Sequence, residues 1–318
     1  MQTMTHRFTA ELRRLERDSH EKCSSCGRPF RHADTAHAGY SSDGGVLFVG
    51  DCCKSQVAET AVRYYWMERA YATPEANATL WRYMDFAKFA ALLKDRSIYF
   101  ARADQLGDPW EGAKGAIPNK PRWDQHYLRF FRESLRNPPP GVDFNLSDKE
   151  VEKEANRLLS EFASAGERDL RRTYVSCWHE NEFESEALWR LYCPPQSPGI
   201  AIQTTLSALN ASMGNDPSIQ IGRVRYVDFR SHFAGINEAF FRKRQSLSHE
   251  REVRAVIRPN GETSLGVLRP AVLPALLKAI VISPFAPSWF EPLLREVMTR
   301  FGADAPTKPS DLLLQPFF

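Results

Sequence analysis

A line of charged side chains precedes an apolar run in the stretch SLSHEREVRAVIR, residues 246–258. Glu250, Glu252 and Arg254 occupy every second position, and Arg254 is flanked by Val253 on one side and by the apolar Ala255, Val256 and Ile257 on the other. Successive residues of a β-strand point to opposite faces, so residues two apart lie about 6.5–7 Å from each other on one face. The sequence therefore predicts two carboxylates and a guanidinium on one face of a strand.

Two interpretations of this face stay open. A carboxylate fixed beside a sugar can stabilise an oxocarbenium-like cation, as glycosidases do. Glu252 would then face the sugar, and Glu250 could orient or deprotonate the attacking group. Alternatively, the same side chains form a solvated sheet face with ion pairs to neighbouring strands.

A second group with chemical potential lies near the N-terminus, where four cysteines form two pairs: Cys23, Cys26, Cys52 and Cys53. Two cysteine pairs of this kind can close a tetrahedral structural zinc site. Because adjacent cysteines are an awkward pair, His32 or His37 could instead supply the fourth bond. A reduced, metal-free fold with buried thiols is the alternative. No acid or base motif accompanies the cluster, which disfavours a catalytic zinc.

A basic and aromatic segment, KPRWDQHYLRFFRESLR, spans residues 120–136. It interleaves arginines with rings: Arg122, Arg129, Arg132 and Arg136 with Trp123, Tyr127, Phe130 and Phe131. Guanidinium groups beside aromatic faces are typical of single-stranded nucleic-acid binding. An amphipathic helix with a solvated basic side is the alternative that the pattern favours.

The composition indicates a globular protein with a sizeable core. The chain has 318 residues, of which 42% are hydrophobic and 12% aromatic. Its 42 basic and 39 acidic residues give a net charge of +3, too small to imply a nucleic-acid or membrane partner by itself. The first 22 residues contain no signal-peptide pattern, and no run approaches the roughly 20 apolar residues of a membrane span. A cytoplasmic protein with reduced cysteines and no membrane partner is expected.

The elements that must position these groups follow from periodicity. Helices are predicted for residues 86–93, SQVAETAVRYYWMERAY, LSDKEVEKEANRLLSEFA, SEALWRLYC, NEAFFRKR and PSWFEPLLREVMTRF, and strands for LWRYM, SIYFA, TYVSCW, GIAIQT, IQIGRVRYV, EVRAVIR and AIVIS. Ser147 and Glu150 have the spacing of a capping box. The fold class is therefore α+β, with a mixed or antiparallel sheet flanked by helices. ATPEANAT, residues 72–79, predicts a linker between a zinc-knuckle-like unit at 1–75 and a catalytic domain at 76–318.

Four blocks of the chain resemble the bacterial family catalogued as domain of unknown function 2971. They are LWRYMDFAKFAALLKDRSIYFARADQLGDPWEG, YVSCWHENEFESEALWRLYCPPQSPGIAI, SHEREVRAVI and LKAIVISPFAP, and they cover about residues 80–290. Gly107 stands where asparagine usually precedes the Asp-Pro pair of the family pattern. The resemblance implies a related fold and carries no activity.

The same blocks resemble ADP-ribosyltransferases, which carry a basic residue on an early strand, a serine or aromatic strand in the middle and a glutamate on a late strand. Arg82, Ser176 and Glu252 occur in that order. The resemblance implies an ADP-ribosyltransferase-like fold with NAD as substrate and Arg82, Ser176, Glu250 and Glu252 as catalytic residues. Arg82 would also bind a phosphate or ribose oxygen of NAD.

Further residues complete the expected NAD site: Tyr83, Asp108, Glu111 and Trp178, together with Arg82. Each has a structural alternative. Asp108 and Glu111 could cap the turn and helix after Pro109, and Trp178 could lie in the core. His179 could face the same cleft or be a structural histidine.

The sequence thus predicts a cytoplasmic NAD-dependent ADP-ribosyltransferase, such as a toxin or anti-phage effector with an antitoxin partner, that modifies a protein or nucleic acid. The alternative is a non-enzymatic zinc-containing module that binds nucleic acid or a partner protein. A metal-dependent hydrolase using Asp108, Glu111, Glu250 and Glu252 is the least favoured. Convergence of Arg82, Ser176 and Glu252 on one cleft would favour the enzyme, and their separation would favour the binding module.

Overall fold

The computed structural model describes residues 22–23, 26–29, 36–40, 46–53, 71–137, 144–193, 198–216, 218–234 and 238–318. The chain forms two compact units, one of Met1–Ala70, Lys114–Glu167 and Phe229–Ile236, the other of Tyr71–Ala113, Arg168–Asp228 and Asn237–Phe318. The predicted helix at residues 55–71 lies outside the described residues except for its last one. The predicted boundary between residues 75 and 76 stays a prediction.

The described strands are β1 (Ala36–Tyr40), β2 (Val46–Gly50), β3 (Thr79–Asp85), β4 (Ser97–Arg102), β5 (Tyr174–Glu180), β6 (Gly199–Thr205), β7 (Gln220–Arg223), β8 (Arg225–Val227), β9 (Arg242–Arg244), β10 (Glu252–Ile257), β11 (Gly266–Pro270), β12 (Ala279–Ile282) and β13 (Thr307–Pro309). The described α-helices are α1 (Phe86–Asp95), α2 (Lys120–Arg136), α3 (Asp148–Arg172), α4 (Glu186–Tyr192), α5 (Leu206–Ser212), α6 (Leu273–Leu276) and α7 (Phe290–Arg300). Short 3₁₀ helices cover Ala103–Gln105, Ile117–Asn119, Ala239–Phe241, Gln245–Glu250 and Asp311–Leu313. None of the described helices is long and apolar enough to cross a membrane.

Nine strands of the second unit form one sheet in the order β11-β4-β5-β3-β6-β12-β13, with β10 beside β5 and β7 beside β10. All described pairs in this sheet are antiparallel except β12 with β13. The predicted α+β class, with a mixed and mostly antiparallel sheet flanked by helices, is confirmed.

Local sequence explains where the helices begin. Asp85 ends β3 and accepts a hydrogen bond from the Lys88 backbone N at 2.9 Å, which caps α1. The predicted capping box is present before α3, because the Glu150 carboxylate accepts from the Ser147 backbone N at 2.8 Å. The helix predicted over NEAFFRKR is wrong. In the described part of that segment, Phe240 and Phe241 are buried in a cluster with Val175 and Val256, so tertiary burial replaces the local helix by a 3₁₀ turn and β9.

The central sheet has two different faces. On one face, side chains of β3, β5, β6 and β10 form the main core with α1, α5 and α7, including Leu80, Trp178, Ile202 and Val253. On the other face, Trp81 and Tyr83 of β3 pack against α4. All six residues of β10 are buried, including the charged Glu252 and Arg254. The polar cluster described below belongs to this second face.

Candidate functional site

A buried ion pair lies on β10, at the position where the sequence predicts aligned charges. Arg254 Nε donates to Glu252 Oε1 at 2.8 Å. The same guanidinium donates to both carboxylate oxygens of Glu111, at 2.5 and 2.8 Å. Arg254 is 0% exposed, Glu252 2% and Glu111 6%. Arg254 is therefore a buried cation that pairs with two buried carboxylates.

Lys243 of β9 extends this cluster. Its Nζ lies 2.6 Å from Glu250 Oε2 and 3.0 Å from Glu252 Oε2. Glu250 ends the 3₁₀ helix Gln245–Glu250, and Arg251 has a left-handed backbone with φ of 44° before β10 begins. The predicted shared strand face thus holds for Glu252 and Arg254, whereas Glu250 reaches the cluster from the preceding turn.

The acidic groups of this cluster exceed the basic ones. The carboxylates of Glu111, Glu250 and Glu252 pair with the cations of Lys243 and Arg254, so these five side chains carry a net charge of −1 when all are ionised. Burial raises the pKa of Glu252, but attraction to Arg254 and Lys243 outweighs burial and holds that pKa well below its ordinary value. Among these five side chains, one negative charge is therefore not balanced by a cation.

Aromatic rings border the carboxylates. His179 of β5 lies directly opposite Glu252 on β10, and on its other side opposite Trp81 of β3. Its ring centroid is 5.9 Å from that of Tyr83 and 5.4 Å from that of Tyr192. His179 Nδ1 lies 2.8 Å from the Glu250 carbonyl oxygen. Burial lowers the pKa of His179, so the neutral imidazole is favoured at neutral pH.

Three more polar groups complete the cluster. The Tyr226 hydroxyl accepts from the Glu252 backbone N at 2.7 Å. Burial, and then the charge of Glu252, raises the pKa of the Cys177 thiol well above its ordinary value, which favours the neutral thiol there. Tyr192 is 37% exposed and places the cluster next to solvent.

The loop that begins at Asp108 and Pro109 is held by hydrogen bonds to Asp108, and it carries Glu111, an ion-pair partner of Arg254. Asp108 Oδ1 accepts from the Trp110 backbone N at 3.0 Å, as in an Asx turn, and from Arg244 Nη2 at 3.0 Å. The turn brings the Glu111 carboxylate to Arg254. Gly107 has φ of 74°, a left-handed conformation that glycine adopts without strain.

The sheet separates the predicted catalytic residues. Ser176 and Trp178 alternate with Cys177 and His179 along β5, so they lie on the face opposite Glu252. Trp178 Nε1 donates to Ser176 Oγ at 3.2 Å, and the Arg82 guanidinium lies 5.4 Å from the Trp178 ring. Arg82 and Ser176 therefore do not converge with Glu252.

Arg82 and Trp178 lie on the other face of the sheet, where Arg82 is half-buried. Arg82 Nη2 donates to the Tyr99 carbonyl oxygen at 3.2 Å, and burial lowers the pKa of Arg82 to about 10. Trp178 is fully buried in the main core. Of the predicted NAD-binding residues, Tyr83 and Glu111 lie on the Glu252 face. Lys243, Tyr192 and Tyr226 were missed, because no local pattern shows that they lie at this cluster.

Four cysteines of the first unit lie close together. Their sulfur atoms are all within 4.8 Å of one another, and the Sγ atoms of Cys26 and Cys52 are 3.7 Å apart. A tetrahedron with metal–sulfur bonds of about 2.3 Å places its sulfurs roughly 3.8 Å apart. Gly27, directly after Cys26, has φ of 71°, and its backbone N donates to the Cys23 carbonyl oxygen at 2.8 Å. Cys23, Cys26, Cys52 and Cys53 can therefore hold one metal ion. His32 lies outside the described residues.

The basic and aromatic segment forms α2. Trp123 and Tyr127 are buried and pack against Phe162 of α3, with ring centroids 5.1 and 4.8 Å apart. Arg132 pairs with Glu152 at 2.7 Å, and Arg136 pairs with Asp148 at 2.9 Å. These contacts are those of an amphipathic helix whose rings face its own unit.

Comparison of the chain with protein families, with curated proteins and with solved structures gives no match in any of the three. The resemblance to the domain of unknown function 2971 family is thus not supported by a family match.

Proposed function

We propose that the chain cleaves the nicotinamide–ribose bond of NAD and transfers ADP-ribose to a protein or nucleic acid. The observation that best supports this proposal is the cluster on the Glu252 face. There, buried carboxylates outnumber the cations and lie beside aromatic rings. NAD carries a positive charge on its planar nicotinamide ring, and bond cleavage moves positive charge onto the ribose. A net negative, preorganised site stabilises that developing charge more strongly than water does.

In the proposed reaction the C1′–N bond breaks, and nicotinamide leaves with the electron pair. Glu252 accepts a hydrogen bond from the ribose 2′-hydroxyl and stabilises the oxocarbenium-like ribose. The acceptor's nucleophilic atom then bonds to C1′, and its proton passes to Glu250. The products are ADP-ribosylated acceptor, nicotinamide and a proton.

The neighbouring groups have defined roles in this proposal. The rings of His179 and Tyr192 provide faces against which a planar cationic ring can stack. Lys243 Nζ, 3.0 Å from Glu252, would move aside when the ribose binds. Arg82, Ser176 and Trp178 would stabilise the sheet from the opposite face and make no contact with NAD.

The resemblance to ADP-ribosyltransferases gains one supporting observation. β3, β5 and β10, which carry the three matched positions, are direct neighbours in the sheet. Trp81, His179 and Glu252 form a row straight across these strands. The proposal therefore places the site on the same three strands, β3, β5 and β10. On β3 and β5, however, the site lies on the face opposite Arg82 and Ser176.

The test is release of nicotinamide from NAD, measured with purified protein in the presence of cell extract that supplies acceptors. Glu252→Gln keeps the size of the side chain and removes its charge. We expect a rate loss of about 10²–10³-fold, the usual effect of losing one preorganised electrostatic contact. Glu250→Gln should reduce transfer to the acceptor more than hydrolysis of NAD by water.

Glu180→Gln is the matched control. Glu180 ends β5 and pairs with Arg223 at 2.6 Å, so the substitution removes a paired carboxylate outside the cluster. The control variant should release nicotinamide at the wild-type rate. Wild-type protein that neither binds nor consumes NAD would remove the transferase proposal.

The alternative is a non-enzymatic module, and two observations favour it. Both carboxylate oxygens of Glu252 are already paired, Oε1 with Arg254 and Oε2 with Lys243, in a setting that is 2% exposed. The separation of Arg82 and Ser176 from Glu252 points the same way. In that case the cluster would stabilise the sheet, and the cysteine unit would contribute to partner binding.

For the cysteine unit we propose a structural zinc ion bound by Cys23, Cys26, Cys52 and Cys53. Four thiolates are the ligand set of closed structural zinc sites, and the four sulfur atoms lie within 4.8 Å of one another. A fully ligated zinc has no open position for substrate, so this ion would stabilise its unit and take no part in NAD cleavage.

A further inference from the structure

A cavity of about 180 Å³ lies in the first unit, and no cysteine of the cluster is among its lining residues. It is formed at the beginning of α2 and the segment before it, and its walls include Lys114, Gly115, Ile117, Asn119, Trp123 and Phe233. Ile117 is 88% exposed, so the cavity opens to solvent on that side. The surface inside is mainly apolar and aromatic.

Two polar side chains in the cavity wall have unused hydrogen-bonding groups. Asn119 is 2% exposed, and neither its amide oxygen nor its amide nitrogen has a partner. Trp123 is 4% exposed, and its Nε1 is also without a partner. Asn119 occupies the N-cap position of α2, where asparagine usually accepts from a backbone N–H, yet it makes no capping bond. The Asn119 amide therefore does not cap α2, although its position would allow this.

Unpaired polar groups in a protein interior are destabilising, so their presence in a cavity wall points to a partner that the chain itself does not provide. The donors and acceptor of Asn119 are adjacent on one planar group. Such an edge matches a ligand that has a carbonyl oxygen next to an N–H. An engineered apolar cavity of about 150 Å³ accommodates benzene, so this space suits one six-membered ring and excludes a whole nucleotide.

We infer that the cavity binds a single planar ring with an amide edge, such as the carboxamide of nicotinamide or the lactam of a pyrimidine base. The ligand carbonyl accepts from the Asn119 amide nitrogen or from Trp123 Nε1, and the ligand N–H donates to the Asn119 amide oxygen. The aromatic walls contact the ring, and the Lys114 ammonium, 5.1 Å from the Trp123 ring centroid, favours an electron-rich carbonyl nearby. This inference does not depend on the proposed NAD cleavage.

The test is direct binding of small probes to the full chain, by calorimetry and ligand-observed NMR. Nicotinamide and uracil are the two amide-bearing probes, and benzoate is the ring without an amide N–H. We expect at least one amide probe to bind at least tenfold more tightly than benzoate. Preference for nicotinamide or for uracil identifies the source of the ligand.

Three variants connect the binding to the cavity. Asn119→Leu should lower the affinity at least tenfold and, because it removes unpaired polar atoms, should raise the melting temperature. Gly115→Ala should also weaken binding, since its new methyl group would lie 3.5 Å from Phe233 Cβ and 3.8 Å from Asn119 Nδ2 without strain. Asn156→Leu, on the exposed surface of α3, is the matched control and should bind as wild type does.

Several results would overturn the inference. No binding of either amide probe at millimolar concentration would show that the cavity holds water alone. Undiminished binding by Asn119→Leu would place the probe elsewhere. A lowered melting temperature of Asn119→Leu would show that the amide stabilises the unit, contrary to its unpaired state.

Discussion

Replacing Arg254 by methionine should destabilise the second unit severely. Arg254 is fully buried, and it is the partner of Glu111 and of Glu252. Methionine fills similar space and leaves both carboxylates inside the protein without this cation. Lys243 still pairs with Glu252, so the loss of the Arg254 cation affects Glu111 more than Glu252.

The magnitude follows from the cost of an uncompensated buried charge. Breaking a buried ion pair by removing one partner costs about 3–5 kcal/mol. For a folding unit of 150–250 residues, 1 kcal/mol corresponds to about 2–4 °C in Tm, so the expected decrease is about 6–20 °C. Adding Glu111→Gln to Arg254→Met should recover part of this loss, because the orphaned carboxylate becomes neutral.

The assay is thermal unfolding followed by circular dichroism, with Arg300→Met as the matched control. Arg300 pairs with Glu296 at 2.8 Å on the surface of α7, where both side chains are more than half exposed. Such a pair contributes about 0–1 kcal/mol, so the control should melt within a few degrees of wild type. A Tm of Arg254→Met equal to that of the control would refute the role assigned to the buried cluster.

Three further outcomes are expected. Protein purified without added metal should contain one zinc ion per chain by elemental analysis, and the Cys26→Ser, Cys52→Ser double variant should contain little; zinc-free wild type would contradict the site. The free energy of unfolding should fall as pH decreases below about 6.5, because His179 becomes protonated in the unfolded chain while burial lowers its pKa in the folded state. The denaturation midpoint of His179→Gln should therefore vary less between about pH 7 and pH 5 than that of wild type. The same pH dependence of the midpoint in both proteins would contradict this. Retention of RNA should be the same for wild type and for the Arg129→Ala, Arg132→Ala variant, because the rings of α2 are packed inside their unit; a salt-sensitive loss in the variant would restore the nucleic-acid hypothesis.

Much of the fold could be predicted because its signals are local. The capping box before α3 depends on two residues three apart, and the alternation in β10 assigns Glu252 and Arg254 to one face. Each strand could be recognised from its own sequence, without knowing which strands it pairs with. The α+β class followed from this alternation of strand and helix patterns.

The composition of the candidate site could not be predicted in the same way. Alternation places Ser176 and His179 on opposite faces of β5, but only the pairing of β5 with β10 shows which of the two faces Glu252. Lys243 was assigned to a helix, whereas burial of the preceding phenylalanines extends the chain and directs it to Glu250. Both facts depend on contacts between residues far apart in sequence.

The most direct test of the central claim compares the two faces of the sheet by nicotinamide release from NAD. His179→Gln and Tyr192→Ala alter the Glu252 face, whereas Arg82→Met and Ser176→Ala alter the opposite face. If the site lies on the Glu252 face, the first two variants lose activity at least tenfold while the last two, corrected for folded fraction, stay close to wild type. Loss confined to Arg82→Met and Ser176→Ala, or equal activity in all four, would contradict the account.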